Sequence, residues 1–431
     1  MTAVKRRMHL AVFWLGTGNH TAGWRMDGAA DSNCDWSTVE AGTRIAERGK
    51  FDLFFISDSV APDIGDHPSF LTRFEPTTLV GALSRSTRCV GLGATVSTSF
   101  SEPYTVARTF QSLQHLTRGR VAWNVVTSTA DKAALNFSRE RHHDHDMRYE
   151  IASEFVDVVR GLWGTWEEGA VVRNRATGQY VDPAKVRTLD HKGKHFSVRG
   201  PLNTERPPWG DPLIIQAGGS VPGQELSART ADIVFSVVSG DTDAAKAAYD
   251  SLKGRTGRYG RCSGDVALLP GVMPIIADTD AEARDELDRL QGFLGTANAL
   301  TLVSNRIGHD LSGYPLDGPI PELPTTTNRS QTFSRTLLEK ARREKMTMRD
   351  LYNLTAAARG HWVIAGTPKG IADTLEDWFT AGRADGFMIL PPYFPGAFDT
   401  FVDKVVPELQ RRGLFRREYE GATLRSHLGR E

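Results

Sequence analysis

The sequence predicts a (β/α)8 barrel of the TIM type. Short apolar runs alternate with longer amphipathic segments through nearly all of the 431 residues. Leu213–Gln216 (LIIQ), a glycine turn, a helix and Asp232–Val237 (DIVFSV) form a strand–turn–helix–strand unit of the βαβ kind. The first such turn, Gly16-Thr17-Gly18-Asn19-His20, lacks the GxGxxG spacing of a dinucleotide-binding sheet. The alternative is an open doubly wound sheet with a second domain. The barrel accounts for the chain as one domain, residues 1–431, carrying two insertions.

Taken in order, His9–Leu15 is the first strand and Thr38–Gly49 a helix ending on glycine. Leu53–Asp58 is the second strand, Glu75–Ser86 a helix, and Val90–Ser97 the third strand. Pro103–Leu116 reads as helix and Arg120–Val126 as the fourth strand. Met147, Ile151, Phe155, Val158, Leu162 and Trp166 recur at helical spacing, which predicts a helix over Asp146–Trp166. Glu167–Asp211 has no clear periodicity and is too long for a plain connection, so it is the first insertion. The glycine-turn unit supplies strands five and six. Ala244–Leu252 is helix and Val266–Ala277 the seventh strand.

Gln291–Arg359 breaks the alternation and is the second insertion. It holds a proline-rich stretch (Pro315–Pro324), a polar stretch (Thr325–Gln331) and a charged helix near Ser334–Lys345. His361–Ala365 is a short extended run, with His361 and Trp362 in structural roles. Pro368–Ala381 is helix, Gly386–Leu390 the last strand and Phe398–Leu414 a closing helix. Trp163 and Trp166 are expected in the core, and His9 packs on the barrel's lower face.

Formal net charge is zero, so no footprint for nucleic acid is present. Cys34, Cys89 and Cys262 lack metal or redox spacing, which points to a reducing cytoplasm. Lys5–Arg7 before Met8–Leu15 imitate a secretory leader, but the run is short and no small-residue cleavage site comes after it. No run reaches the length of a membrane span.

A barrel builds its active site from the residues at and just beyond the C-terminal end of each strand. Here those positions hold Asn19 and His20, then Asp58, then Thr95 and Ser97, then Asn124 with Thr127 and Ser128, then Gly218, Gly219 and Ser220. This rim of hydroxyls and amides suits a large neutral heterocycle with a phosphate tail. Gly218 and Gly219 permit close approach at a helix start that Ser220 caps, where free N–H groups and the helix dipole favour an anion. Geometry alone also explains such glycines. In His142–Tyr149 (HHDHDMRY), His145 and Tyr149 share a helix face. That segment could be a cofactor edge, a solvated cap using Asp144 or Asp146, or a metal site, although HExxH is missing. Asp58 could equally be structural. No GxSxG elbow or P-loop supports a hydrolase or kinase.

These residues also carry a resemblance. GNHTAGWR at Gly18–Arg25, FDLFFISDS at Phe51–Ser59, EPTTLVGALSRST at Glu75–Thr87 and the run Ser101–Ser128 are four of its blocks. HDMRYEIASEFVDVVRGLW at His145–Trp163 and the run His195–Gly223 complete it, covering about Met8 to Arg417. Together they resemble the bacterial-luciferase-like flavin monooxygenases, in the branch of nitrilotriacetate, dibenzothiophene-sulfone and long-chain alkane monooxygenases. The resemblance implies a barrel that binds FMN as FMNH2, delivered by a separate NAD(P)H:flavin reductase. It implies oxygen transfer from O2 through a peroxyflavin to a small organic substrate. By the same resemblance Asp58 and Thr95 line the flavin ring, His145 and Tyr149 sit near its tail, and Gly219 and Ser220 hold the phosphate. His20 and Asn124 are the candidates beside the reacting atoms. Many members read AGSS where this chain has Ala217-Gly218-Gly219-Ser220, so one hydroxyl is missing and flavin retention should be weaker. The resemblance further implies a homodimer or homotetramer; no metal is expected, since the histidine-rich segment lacks HExxH and no cysteine lies near it. Alternatives within the fold are a deazaflavin (F420) hydride-transfer enzyme and a non-catalytic flavin-binding protein.

Overall fold

A computed structural model describes residues 6–62, 67–128, 131–322 and 331–430. Eight parallel strands close into a barrel: β1 (His9–Trp14), β2 (Leu53–Ile56), β3 (Gly91–Ser97), β4 (Val121–Val126), β5 (Leu213–Gln216), β6 (Ile233–Ser236), β7 (Ala267–Ile276) and, after β8 (Trp362–Gly366), β9 (Gly386–Ile389). Each of β1 to β6 pairs with its successor in sequence. Closure comes from β9, which pairs His9 with Gly386 on one side and Gly271 with Met388 on the other. β8 stands outside this ring. It pairs with the upper half of the long β7, from Val272↔Trp362 to Ile276↔Gly366, where β9 has ended. The run expected at His361–Ala365 is therefore a ninth strand of the sheet.

Alternation along each strand divides the core in two. Val12, Phe54, Trp123 and Ile214 face the helices, whereas Ala11, Phe55, Ile215, Phe235 and Met388 fill the barrel. The helices start where the sequence offers caps. Asp35 accepts from Ser37 and Thr38 at the head of α1 (Trp36–Arg48). Glu75 does the same for α2 (Pro76–Ser86), and proline opens α3 (Pro103–Thr117). α4 (His145–Trp163) and α5 (Val221–Thr230) follow β4 and β5, and α6 (Thr242–Thr256) follows β6. α7 (Asp280–Gly292) follows β7, and the sequence reading missed it although Thr279 and Glu282 form a capping box there.

The first insertion contains two small hairpins, Val171–Asn174 with Gln179–Val181 and His191–Lys192 with Ser197–Val198. Trp166 lies at its start and is only half-buried, its indole N–H donating to the Leu202 carbonyl at 2.6 Å; it is not core as expected. The second insertion is helical, with α8 (Thr296–Ile307), α9 (Gln331–Arg343) and α10 (Met348–Ala358) around a core of its own that includes Leu302, Leu338 and Leu351. The charged helix expected there is α9; residues 325–330 of the polar stretch lie outside the described residues. α11 (Pro368–Thr380) leads to β9, and a closing helix runs from Gly396 to Arg411 through a π-turn at Phe401–Val405.

The tail beyond that helix crosses the lower mouth of the barrel. Leu424 and Leu428 join the interior core. Arg416 bonds Asp52 at the foot of β2, and Arg430 bonds Asp232 at the foot of β6. His9, expected only to pack, instead approaches Asp52 at 3.2 Å. Among the described residues, no helix is long and apolar enough to cross a membrane.

Candidate active site

The upper end of the barrel interior is aromatic on one side and polar on the other. Phe13, Phe55 and Phe235 meet with ring centroids 5.2–6.1 Å apart, and His361 stacks on Phe235 at 4.9 Å. His361 is thus buried above the barrel interior, pressed against the position where a Cβ on Gly271 would sit.

Across from the rings stand Thr95 of β3 and Asn124 of β4, paired in register and both buried. The Thr95 hydroxyl donates to the Ile56 carbonyl at 2.8 Å, so its oxygen must accept from Asn124 Nδ2 at 2.9 Å. This chain fixes the amide orientation. Asn124 Oδ1 is left as a pure acceptor, buried and without a partner among the described residues. Such an atom costs free energy unless a donor meets it.

The loop after β1 reaches over the barrel. Asn19 Nδ2 donates to the carbonyls of Phe13 and Pro391, and its Oδ1 accepts from Arg359 at 3.0 Å. His67 bonds the Asn19 carbonyl at 2.9 Å. His20 comes next, 1% exposed. Its Nδ1 accepts from the Ala22 N–H at 3.1 Å, which puts the proton of a neutral ring on Nε2. Burial depresses its pKa to about 3, so the ring is neutral at working pH. Nε2–H is a buried donor that meets no acceptor among the described residues. α10 covers this loop: Thr21 bonds the Ala356 carbonyl through both its N–H and its hydroxyl. Arg359, at the end of α10, lies 4.8 Å over Phe13.

Asp58 sits just past β2, where burial raises its pKa against the opposing pull of Arg73. Arg73 itself donates to the Ser57 and Ser69 carbonyls.

The second group is built by α4 and α5. Ser220 caps α5, its hydroxyl accepting from Gly223 N–H at 3.3 Å. The Tyr149 hydroxyl fits against the turn so closely that a Cβ on Gly218 or Gly223 would lie 2.8 or 2.9 Å from it. A Cβ on either glycine would also lie 2.9 Å from the other's Cα, so glycine at both positions is a steric requirement. Among the described residues, the N–H groups of Gly219, Ser220 and Val221 meet no acceptor. Gln216, at the end of β5 on the helix-facing side with Ile214, is 2% exposed and its Nε2 has no partner among the described residues. His145 lies 5.0 Å from the Tyr149 ring and bonds Asp146 through Nδ1. Asp144 takes the cap position of α4, but its side chain makes no capping bond. The sequence reading passed over Arg148, which is buried and donates to the Ser128 carbonyl at 2.7 Å. Ser128 bonds Ser97 at 2.8 Å, so this arginine ties the head of α4 to the ends of β3 and β4. Its place in the HDMRY block was the sequence signal for it.

The model of the family described as luciferase-like monooxygenase matches residues 12–385. The chain belongs to the luciferase-like monooxygenase family. As a member it is a flavin-dependent monooxygenase, in agreement with the resemblance read from its motifs. N-acetyl-S-(2-succino)cysteine monooxygenase of Bacillus subtilis (strain 168) is 46% identical to it, covering 100% of this chain and 98% of that one. Nitrilotriacetate monooxygenase component A of Aminobacter aminovorans is 43% identical, covering 98% and 96%. The barrel itself is similar to the solved structure of a riboflavin lyase with modified FMN and riboflavin, with a TM-score of 0.88 and 30% identity over 99% of this chain and 96% of that one.

Proposed function

We propose that this luciferase-like monooxygenase is the oxygenase of a two-component system. It takes FMN in reduced form from a separate NAD(P)H:flavin reductase and oxygenates a small organic substrate. The observation that carries this is the glycine cradle at the head of α5, closed by the Tyr149 hydroxyl, near the strand ends that hold Thr95 and Asn124. A phosphate tail and a polar ring match these two groups. The name component A in one relative and the FMN in one solved neighbour support the reading.

Bound here, FMNH2 would supply two electrons, so that O2 yields one oxygen in the product, one in water, and FMN. Everything else falls to the protein. Ser220, Gly219 and Tyr149 hold the phosphate, with His145 beside them, while Asp58 and Thr95 flank the ring. Asn124 Oδ1 offers a fixed acceptor for a ring N–H. His20 offers a neutral Nε2–H as a hydrogen-bond donor and, with its pKa depressed to about 3, does not serve as an imidazolium acid. α10 and the loop after β1 cover the mouth, which keeps water from the reacting atoms.

The test is anaerobic titration with FMNH2, followed by O2 uptake with and without a substrate panel. Saturable FMNH2 binding, with uptake quickened by one member of the panel and that member gaining one oxygen, is expected. F420 binding without FMNH2 binding would overturn the reading in favour of hydride transfer. Uptake that no substrate alters would leave a flavin-binding protein.

A further inference from the structure

We propose that Gln224 is a positioning residue for the anion cradle, acting through the Gly219–Ser220 peptide; this rests on the proposed binding of a phosphate there. Gln224 lies one turn inside α5, and its Nε2 donates to the Gly219 carbonyl at 3.1 Å. A carbonyl only accepts, so this contact fixes which end of the amide faces it. The amide's other end lies 3.5 Å from the Ser251 hydroxyl of α6, and Arg255 holds that hydroxyl in turn.

A trans peptide points its C=O and its N–H in opposite directions. With the Gly219 carbonyl tied back toward α5, the Ser220 N–H is turned away from the helix, toward the open side of the turn. Gly219 has no Cβ to restrict this peptide, so without the tie it can rotate and present a carbonyl oxygen where an anion should sit. Gln224 supplies the restraint that a residue with a side chain at 219 would partly supply by itself. Gln216 Nε2, two residues before Gly218, is also buried and, among the described residues, meets no acceptor.

The experiment measures FMN and riboflavin affinities by flavin fluorescence for the full chain, Gln224→Met, Gly219→Ser and the double variant. Methionine keeps the length of the side chain and removes the donor. Gln224→Met should weaken FMN at least fivefold and leave riboflavin, which has no phosphate, within twofold. In the Gly219→Ser background the same change should cost FMN clearly less. Equal losses of FMN and riboflavin would overturn the proposal, because the effect would then not lie at the phosphate. So would an unchanged FMN affinity in Gln224→Met while Ser220→Ala weakens FMN, an outcome that leaves the phosphate site standing. Absence of FMN binding to the unaltered chain would sink both.

Discussion

Arg229 of α5 holds Asp157 of α4 at 2.5 Å while its other terminal nitrogen bonds the Ser153 carbonyl and hydroxyl at 3.0 and 2.9 Å. Together with Arg160 of α4, which donates to the Thr230 carbonyl of α5 at 2.8 Å, this guanidinium ties the two helices that carry Tyr149 and Ser220. Asp157 is half exposed, so the ion pair alone contributes under about 1 kcal/mol. Arg229→Met should lower Tm by only a few degrees yet weaken FMN several-fold. A double-mutant cycle with Tyr149→Phe reads this directly. Fully additive effects would separate the clamp from the cradle.

Tyr149→Phe and Ser220→Ala should each weaken flavin binding by about 0.5–2 kcal/mol through a lost hydroxyl partner. Ser220→Ala should also destabilise the protein by about 1 kcal/mol, since the same hydroxyl caps α5. Anaerobic titration paired with urea denaturation distinguishes the two variants. Unchanged affinity in both would remove these hydroxyls from the site.

His20 makes stability depend on pH in a known direction. Its folded pKa of about 3 lies below the ordinary value near 6.5. The unfolded chain then binds more protons through that window, so stability is complete above about pH 6.5 and falls as pH drops toward 3. The slope from this one group is at most about 1.4 kcal/mol per pH unit. Buried His427 and His142, also depressed by burial, add to it in the same sense. Urea midpoints between pH 4 and 7 should show the slope flattened, not abolished, in His20→Gln. An identical slope in the variant would mean that His20 is charged or exposed.

Asp52 and Arg416 form a fully buried pair 2.5 Å apart. Burial pushes the Asp52 acid up, but Arg416 and then His9 outweigh it and hold the carboxyl at about 2. Its stabilisation is present above the unfolded value near 3.9 and is lost as pH falls toward 2. Asp52→Asn should cost about 3–5 kcal/mol, since it strands a buried guanidinium. Hydrogen exchange should show the segment from Phe415 to Arg430 opening first. A loss under about 1 kcal/mol would show that the pair is dispensable.

Much of the barrel was legible because its strands and helices differ in period and because a cap such as Ser220 marks where a helix begins. The second insertion was read worst. Leu338 and Leu351 bury in a separate cluster with Leu302 of α8 and not in the barrel core, so their pattern did not fit the strand–helix alternation. β8 was read only as an extended run, because its partnership with β7 depends on where β9 stops. At the site, residue types could suggest Thr95, Asn124 and Tyr149. They could not show that the Ile56 carbonyl fixes the Asn124 amide, or that burial keeps His20 neutral. Asp52 and Arg416 lie 364 residues apart, and neither carries a local sign of the other.

The barrel floor has a consequence for how the protein is made. β9 joins strands that emerge early and late, and the tail that seals the lower mouth comes after it. Until those segments leave the ribosome, β1 and the lower half of β7 each keep an unpaired edge and the interior stays open from below. Closure is therefore a late event, dominated by contacts between distant parts of the chain. Chaperones would meet this protein as an open, curled sheet, and a pause in translation before Gly386 would lengthen its exposure.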